Sequence, residues 1–217
     1  MNGPSFKLRG MDAAPQIKLL SEAEYFEMDA RSSIKREFWH GQIVTRPNCT
    51  PSHVILAGQV TTALTNQLRE TPCEVGTSDL KVKSGTDNYV FPDVVVWCED
   101  AQWDSRHPNI LLNPHILVEI LSPSTQSIDQ GAKLAAYQTI PSLLDYLIVW
   151  PDMVQIEHYA RQTETDWRFR RYLNRSQTIE FVAQGLKIPV AEIYRRLDVP
   201  EGVFTLELPF ESDDDDE

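Results

Sequence analysis

The run Ile116-Leu117-Val118-Glu119-Ile120-Leu121 is apolar at every position but one, and that one is a carboxylate in its middle. A strand-length stretch without polar alternation reads as a strand covered on both faces, as inside an α/β sheet. A lone carboxylate there is costly to bury unless a cation or hydrogen-bond donors compensate it. Asp93 poses the same problem, because it follows Phe91-Pro92 and leads directly into Val94-Val95-Val96. If the two strands are neighbours, the carboxylates converge. A divalent cation would then stabilise both, since Mg²⁺ takes one or two carboxylates plus water. Two structural acids, one capping a turn and one paired with a buried arginine, satisfy the same pattern, because structural networks also perturb carboxylates.

Around these strands the chain reads as α/β (α+β), a mixed β-sheet flanked by helices. Ser21-Glu22-Ala23-Glu24 is a capping box and predicts a short helix to about residue 30. Residues 34–46 predict a hairpin around His40-Gly41, with Gly41 supplying the positive φ. Val54, Ala57, Val60, Ala63, Leu64 and Leu68 fall at helical spacing, which predicts a helix over 51–69. Strands are expected over 73–83, 91–98, 115–121, 144–150, 154–160 and 167–173, with one helix over 128–139 between the third and fourth. Beyond Ile179 the pattern weakens, and a short helix over 190–197 follows Pro189. A chain of 217 residues suits one domain. That domain is expected over 21–198, after a poorly ordered arm at 1–20 and before a C-terminal segment at 199–217.

No apolar run approaches the ~18 residues of a membrane span, and residues 1–11 lack the apolar core of a secretory signal. The expectation is a cytoplasmic protein with no membrane partner. Cys49, Cys73 and Cys98 are odd in number and lack CxxC spacing, which argues against a disulfide framework and a zinc site. Net charge is −12, and residues 211–217 carry six of the acids with no base; without them the balance is −6. Such a block reads as a solvated tail, or as a screen over a basic groove. The remaining −6 is not the footprint of a high-affinity DNA binder. Arg168, Arg170, Arg171 and Arg175 are the best phosphate-contact cluster, although charge that blunts a strand edge explains them equally well.

Taken together, several segments resemble the Uma2 family: Phe91-Pro92-Asp93; then Leu117-Val118-Glu119-Ile120-Leu121-Ser122-Pro123-Ser124-Thr125; then Lys133 and Tyr137; then Pro141-Ser142-Leu143-Leu144-Asp145-Tyr146. Glu37 before the His40-Gly41 turn, and His53 at the start of the long helix, fit as well. The likeness covers roughly residues 20 to 160, and more loosely to about 195. That family, formerly a domain of unknown function, is similar to PD-(D/E)xK restriction-type endonucleases. The resemblance implies a restriction-endonuclease-like fold and metal-dependent hydrolysis of DNA. It implies Mg²⁺ or Mn²⁺ held by Asp93, Glu119 and the Ile120 carbonyl, with Glu37 completing the shell or binding a second ion. Homodimerisation is the further expectation, since double-strand cutting by a one-site fold commonly needs two subunits.

One departure stands out. A (D/E)xK motif would place lysine two residues after Glu119, but Leu121 is there. The resemblance makes Lys133 the substitute, four residues from Tyr137 and so on the same helical face. On local sequence alone Lys133 equally reads as a surface lysine snorkelling from an amphipathic helix. Glu37, within Lys35-Arg36-Glu37, equally reads as a solvated strand face, and His53 as a helix-terminal cap. The missing lysine and the acidic balance keep an alternative open: a nuclease fold that binds partners without cutting.

Overall fold

The computed structural model describes residues 19–45, 49–122 and 129–203. The expected arm before residue 19, the acidic tail, the Pro123-Ser124-Thr125 part of the family-like run and the first residue of the 128–139 helix lie outside them. Helix α1 (Glu22–Ala30) begins as the capping box predicts: Ser21 Oγ accepts from the Glu24 amide, and the Glu24 carboxylate accepts from the Ser21 amide. Strands β1 (Arg36–Trp39) and β2 (Gln42–Thr45) form the predicted hairpin. His40 (φ 45°) joins Gly41 (φ 81°) in the left-handed region, so the two-residue turn uses both positions rather than glycine alone. Helix α2 (Pro51–Leu68) is capped by Thr50, with Pro51 in its first turn, where a missing amide costs nothing.

Residues 73–83 are not one strand. They divide into β3 (Glu74–Thr77) and β4 (Lys81–Ser84), which enter different sheets. Thr77-Ser78-Asp79 supplies turn residues, and the Leu80 amide closes the turn on the Thr77 carbonyl at 3.0 Å. The first sheet adds β5 (Asn88–Val90) and β7 (Ile110–Leu111), in the order β2-β1-β5-β4-β7. The second contains β6 (Val94–Trp97), β8 (Ile116–Ile120), β9 (Asp145–Val149), β10 (Ile156–Arg161) and β11 (Trp167–Tyr172), in the order β11-β10-β9-β8-β6-β3. Only β8 and β9 in that sheet are parallel. The crossover such a pair requires is a π-helical turn (Asp129–Lys133) running into α3 (Leu134–Gln138).

Alternation along the central strands sorts two cores. Val94, Val96, Val118, Ile120, Leu147 and Val149 pack on one face against Leu56, Val60 and Leu64 of α2. Val95, Leu117, Tyr146 and Ile148 pack on the other against Tyr137 of α3 and Val82 and Val90 of the first sheet. The region where the pattern weakens holds a further hairpin, β12 (Thr178–Phe181) with β13 (Leu186–Pro189), followed by the single-turn α4 (Val190–Ile193). Its inward residues Ile179, Phe181, Leu186 and Ile188 complete the α2-side core.

The cysteine reading is corrected. Cys73 and Cys98 form a disulfide, and Cys49 is the free, exposed one. An odd count excludes only complete pairing. The antiparallel register Glu74↔Trp97, extended by one pair, sets residues 73 and 98 opposite each other. By loop-closure entropy, Cys73→Ser is expected to lower stability by about 3 kcal/mol. Urea unfolding of both forms without reductant checks this, and an unchanged midpoint would show that the cross-link adds nothing.

Burial pushes the phenols of Tyr25, Tyr89 and Tyr194 upward, so they stay protonated in the folded chain. The unfolded chain ionises its tyrosines near pH 10. Unfolding therefore releases protons above that pH. The stability is fully present below about pH 10 and declines above it by about 1.4 kcal/mol per pH unit for each such tyrosine. Urea midpoints from about pH 9 to about pH 11.5 should fall this steeply; a flat profile would mean the phenols ionise freely in the native state.

Candidate active site

The chain leaves the first sheet at Val90 and enters the second at Val94, so Phe91-Pro92-Asp93 is the crossing between them. Beside it, β6 and β8 pair antiparallel with Val94 opposite Val118. One further step of that register sets Asp93 opposite Glu119, the convergence their sequence positions call for. Asp93 is 1% exposed and Glu119 0%. Asp93 Oδ2 accepts the Ile120 amide at 2.8 Å, which ties one acid to the strand of the other. His53, in the first turn of α2, places Nε2 3.2 Å from the same oxygen. Its backbone amide meanwhile donates to the capping Thr50 hydroxyl, so it is both a cap-region residue and a partner of Asp93.

Helix α3 approaches Glu119 from the face shared with Leu117 and Leu121. Lys133 is 2% exposed, which removes the surface-lysine reading. Its Nζ lies 3.0 Å from Glu119 Oε1 and 3.6 Å from Glu37 Oε2. Tyr137, one turn on, donates its hydroxyl to the same Glu119 Oε1 at 2.7 Å. The π-turn that ends at Lys133 is a local widening of the kind common at functional sites. Burial first, and then the Glu119 charge, hold the Tyr137 phenol well above its ordinary value, so it remains a hydrogen-bond donor at any working pH.

Glu37 is likewise buried, at 2% exposure, and not on a solvated face. Its Oε1 accepts the Phe91 amide at 3.0 Å, and its Oε2 accepts Trp39 Nε1 at 3.3 Å. It thereby pins the crossing between the sheets. Sequence alone marks the Trp39 indole only as a core anchor. Its role as a donor is nonetheless legible in the spacing, since residues two apart on a strand share a face.

The structure thus brings together Glu37, His53, Asp93, Glu119, Lys133 and Tyr137. Among the described residues, no group of three or more His, Cys, Asp or Glu side chains is placed to hold a metal ion. Lys133 lies within ion-pair distance of both Glu37 and Glu119 and supplies cationic charge to each. Beside these contacts, the carboxylates of Asp93 and Glu119 and the Ile120 carbonyl are hard oxygens of the kind that Mg²⁺ or Mn²⁺ takes. One or two carboxylates with waters are enough for Mg²⁺.

The arginine cluster does not act as a unit. Arg171 pairs with buried Glu157 at 2.7 Å, Arg175 with Glu201 at 2.5 Å, and Arg170 lies 3.8 Å from Glu180. Arg171 thereby ties β11 to β10, Arg170 faces Glu180 of β12, and Arg175 joins the turn after β11 to Glu201, while Arg168 makes no such pair with an acid among the described residues. Asp79 pairs with Lys35, as suits a loop acid.

A model of the Uma2 family, described as "Putative restriction endonuclease", matches residues 22–191. The chain is 36% identical over 186 residues to "Uncharacterized protein slr1290" of Synechocystis sp., covering 85% of this chain and 96% of that one. It is 27% identical over 165 residues to "Uncharacterized protein sll1609" of the same organism, covering 76% and 93%. Among solved structures, a "putative nuclease belonging to DUF820" from Anabaena variabilis superposes with a TM-score of 0.67 at 14% identity, covering 81% of this chain and 97% of that one. At that identity the likeness is one of fold.

Proposed function

The chain belongs to the Uma2 family, and from that premise we propose that it is a metal-dependent endonuclease that hydrolyses DNA phosphodiester bonds. The observation that carries this reading is the buried convergence of Asp93 and Glu119 across the β6–β8 register, with Lys133 delivered onto Glu119 from the crossover helix. Asp93, Glu119 and the Ile120 carbonyl would hold Mg²⁺ or Mn²⁺, with Glu37 beside them. When bound, the ion would supply Lewis-acid polarisation of the phosphodiester and a lowered water pKa.

The remaining roles belong to the chain. Lys133 keeps positive charge at the carboxylates and can steady the charge that develops on the phosphoryl oxygens, which is the task of the lysine missing at position 121. Tyr137, always protonated, donates to the same Glu119 Oε1 as Lys133 and helps fix the rotamer of that carboxylate. His53 orients Asp93. Double-strand cutting by one such site calls for a twofold homodimer.

A second reading has its own support. No three metal-ligating side chains converge among the described residues, and the excess negative charge persists beyond the tail. On that reading the fold binds without cutting. Cleavage of supercoiled, linear and single-stranded DNA by the purified chain with Mg²⁺, Mn²⁺ or EDTA decides between them. Metal-dependent nicking supports the nuclease, while DNA left intact under every condition moves the binding reading ahead.

A further inference from the structure

Helix α2 turns one face to the core and the other to solvent, and its 18 residues include no Asp, Glu, Lys or Arg. Pro51, Val54, Ile55, Gly58, Thr62 and Thr65 lie on the outer face, where Val54 is 60% and Ile55 42% exposed. The contrast with α1 is direct, because that helix carries four acids in nine residues. A solvent-facing helix ordinarily keeps charged residues on its outer side. An outer side without charge, with neighbouring aliphatic side chains exposed, has the composition of an interface core.

Gly58 points the same way. A glycine inside a helix weakens it unless something needs to approach the backbone closely. Within the chain nothing does, since a Cβ at Gly58 would meet no atom within 4 Å. Thr62, one turn on, donates its hydroxyl to the Gly58 carbonyl at 2.7 Å, so its polar group is satisfied inside the helix.

Charge also selects the occupant. Duplex DNA and an anionic membrane surface both ask for lysine and arginine, which this face lacks. A basic protein segment would be drawn to the acids elsewhere on the chain. A second copy carries the same −12, so two copies repel least where neither presents a charge.

We propose that the outer face of α2 is the contact between two copies of this chain, related by a twofold axis near Gly58. Val54, Gly58 and Thr62 are four residues apart and form a ridge of the kind that seats in a partner helix's groove in the commonest helix crossing. Gly58 lets the two backbones approach where they cross. His53, which touches Asp93, lies five residues before Gly58, about 7.5 Å along the helix axis. The contact thereby holds two carboxylate centres at a fixed separation. That use rests on the nuclease reading, in which double-strand cutting calls for two subunits; the contact itself rests on the face.

The test is the mass of the full-length chain by sedimentation velocity, without metal or DNA, from about 1 to about 100 µM, the range of micromolar association. The wild type is expected to become dimeric as concentration rises. Gly58→Glu and Ile55→Glu each set like charges against one another at the axis and should weaken dimerisation at least about a hundredfold. Met28→Glu on α1, where the methionine is 41% exposed, should dimerise as wild type. Melting curves at the lowest concentration verify that the variants are folded, and Gly58→Glu should melt there no lower than wild type, because glutamate favours helix over glycine. A wild-type monomer at every concentration would overturn the interface, as would a dimer that both α2 variants leave intact. Plasmid cleavage with Mg²⁺ is scored separately. A monomeric wild type that cuts removes the interface and leaves the nuclease; a dimer that the α2 variants split, without cutting by any form, does the reverse.

Discussion

Replacing Glu119 by glutamine is expected to lower the rate of DNA cleavage by at least about 10³-fold while the chain stays folded. The amide has nearly the shape of the carboxylate, and its oxygen still accepts from Lys133 and Tyr137, which both bind Oε1. What the substitution removes is the negative charge opposite Asp93. If that charge is a ligand for the metal and the anchor of Lys133, chemistry stops although packing survives. Glu119→Ala should abolish cleavage equally but cost far more stability, because it takes the 3.0 Å partner from the buried Lys133 ammonium and leaves it the Glu37 carboxylate at 3.6 Å. The measurement is plasmid nicking with Mg²⁺, paired with a melting curve. Wild-type rates in a folded Glu119→Gln chain would end the carboxylate argument and mark any cutting as a contaminant.

Parts of this site are legible in the sequence itself, and the reason is energetic. A charge inside Ile116-Leu117-Val118-Glu119-Ile120-Leu121 has no apolar explanation, so Glu119 announces itself, and Asp93 does so at the head of three valines. Lys133 and Glu37 do not, because their neighbours in sequence are compatible with solvent. Lys133 is buried through the π-turn, and Glu37 through the Phe91 amide of the crossing. Neither contact has a local signature. The divided strand at 73–83 is readable in Thr77-Ser78-Asp79, and the β12–β13 hairpin in the alternation of Ile179, Phe181, Leu186 and Ile188 about Gly185. The Cys73–Cys98 bond is not readable, because it depends on β3 pairing with β6 rather than on spacing.

Lys133→Met carries the second large effect, and it separates a working centre from a decorative lysine. The thioether fills much of the same volume but leaves Glu119 and Glu37 without the ammonium that lies within ion-pair distance of both. Removing one partner of a buried ion pair costs about 3–5 kcal/mol, whereas a snorkelling surface lysine would cost a few tenths. The loss should be greatest in EDTA. A divalent cation that binds only the folded state stabilises it by about 2.7 kcal/mol at a hundredfold excess over its Kd; without the ammonium competing for the same carboxylates the variant should bind the cation more tightly, so Mg²⁺ or Mn²⁺ should raise its melting temperature more than that of the wild type. The metal does not replace the ammonium as a stabiliser of charge on the phosphoryl oxygens, so cleavage should still fall by about 10²–10³-fold. A variant that melts and cuts like the wild type would assign Lys133 to packing alone. One that is destabilised, is rescued by metal and yet remains inactive places the lysine in the chemistry, because a defect of folding alone would be repaired along with the fold.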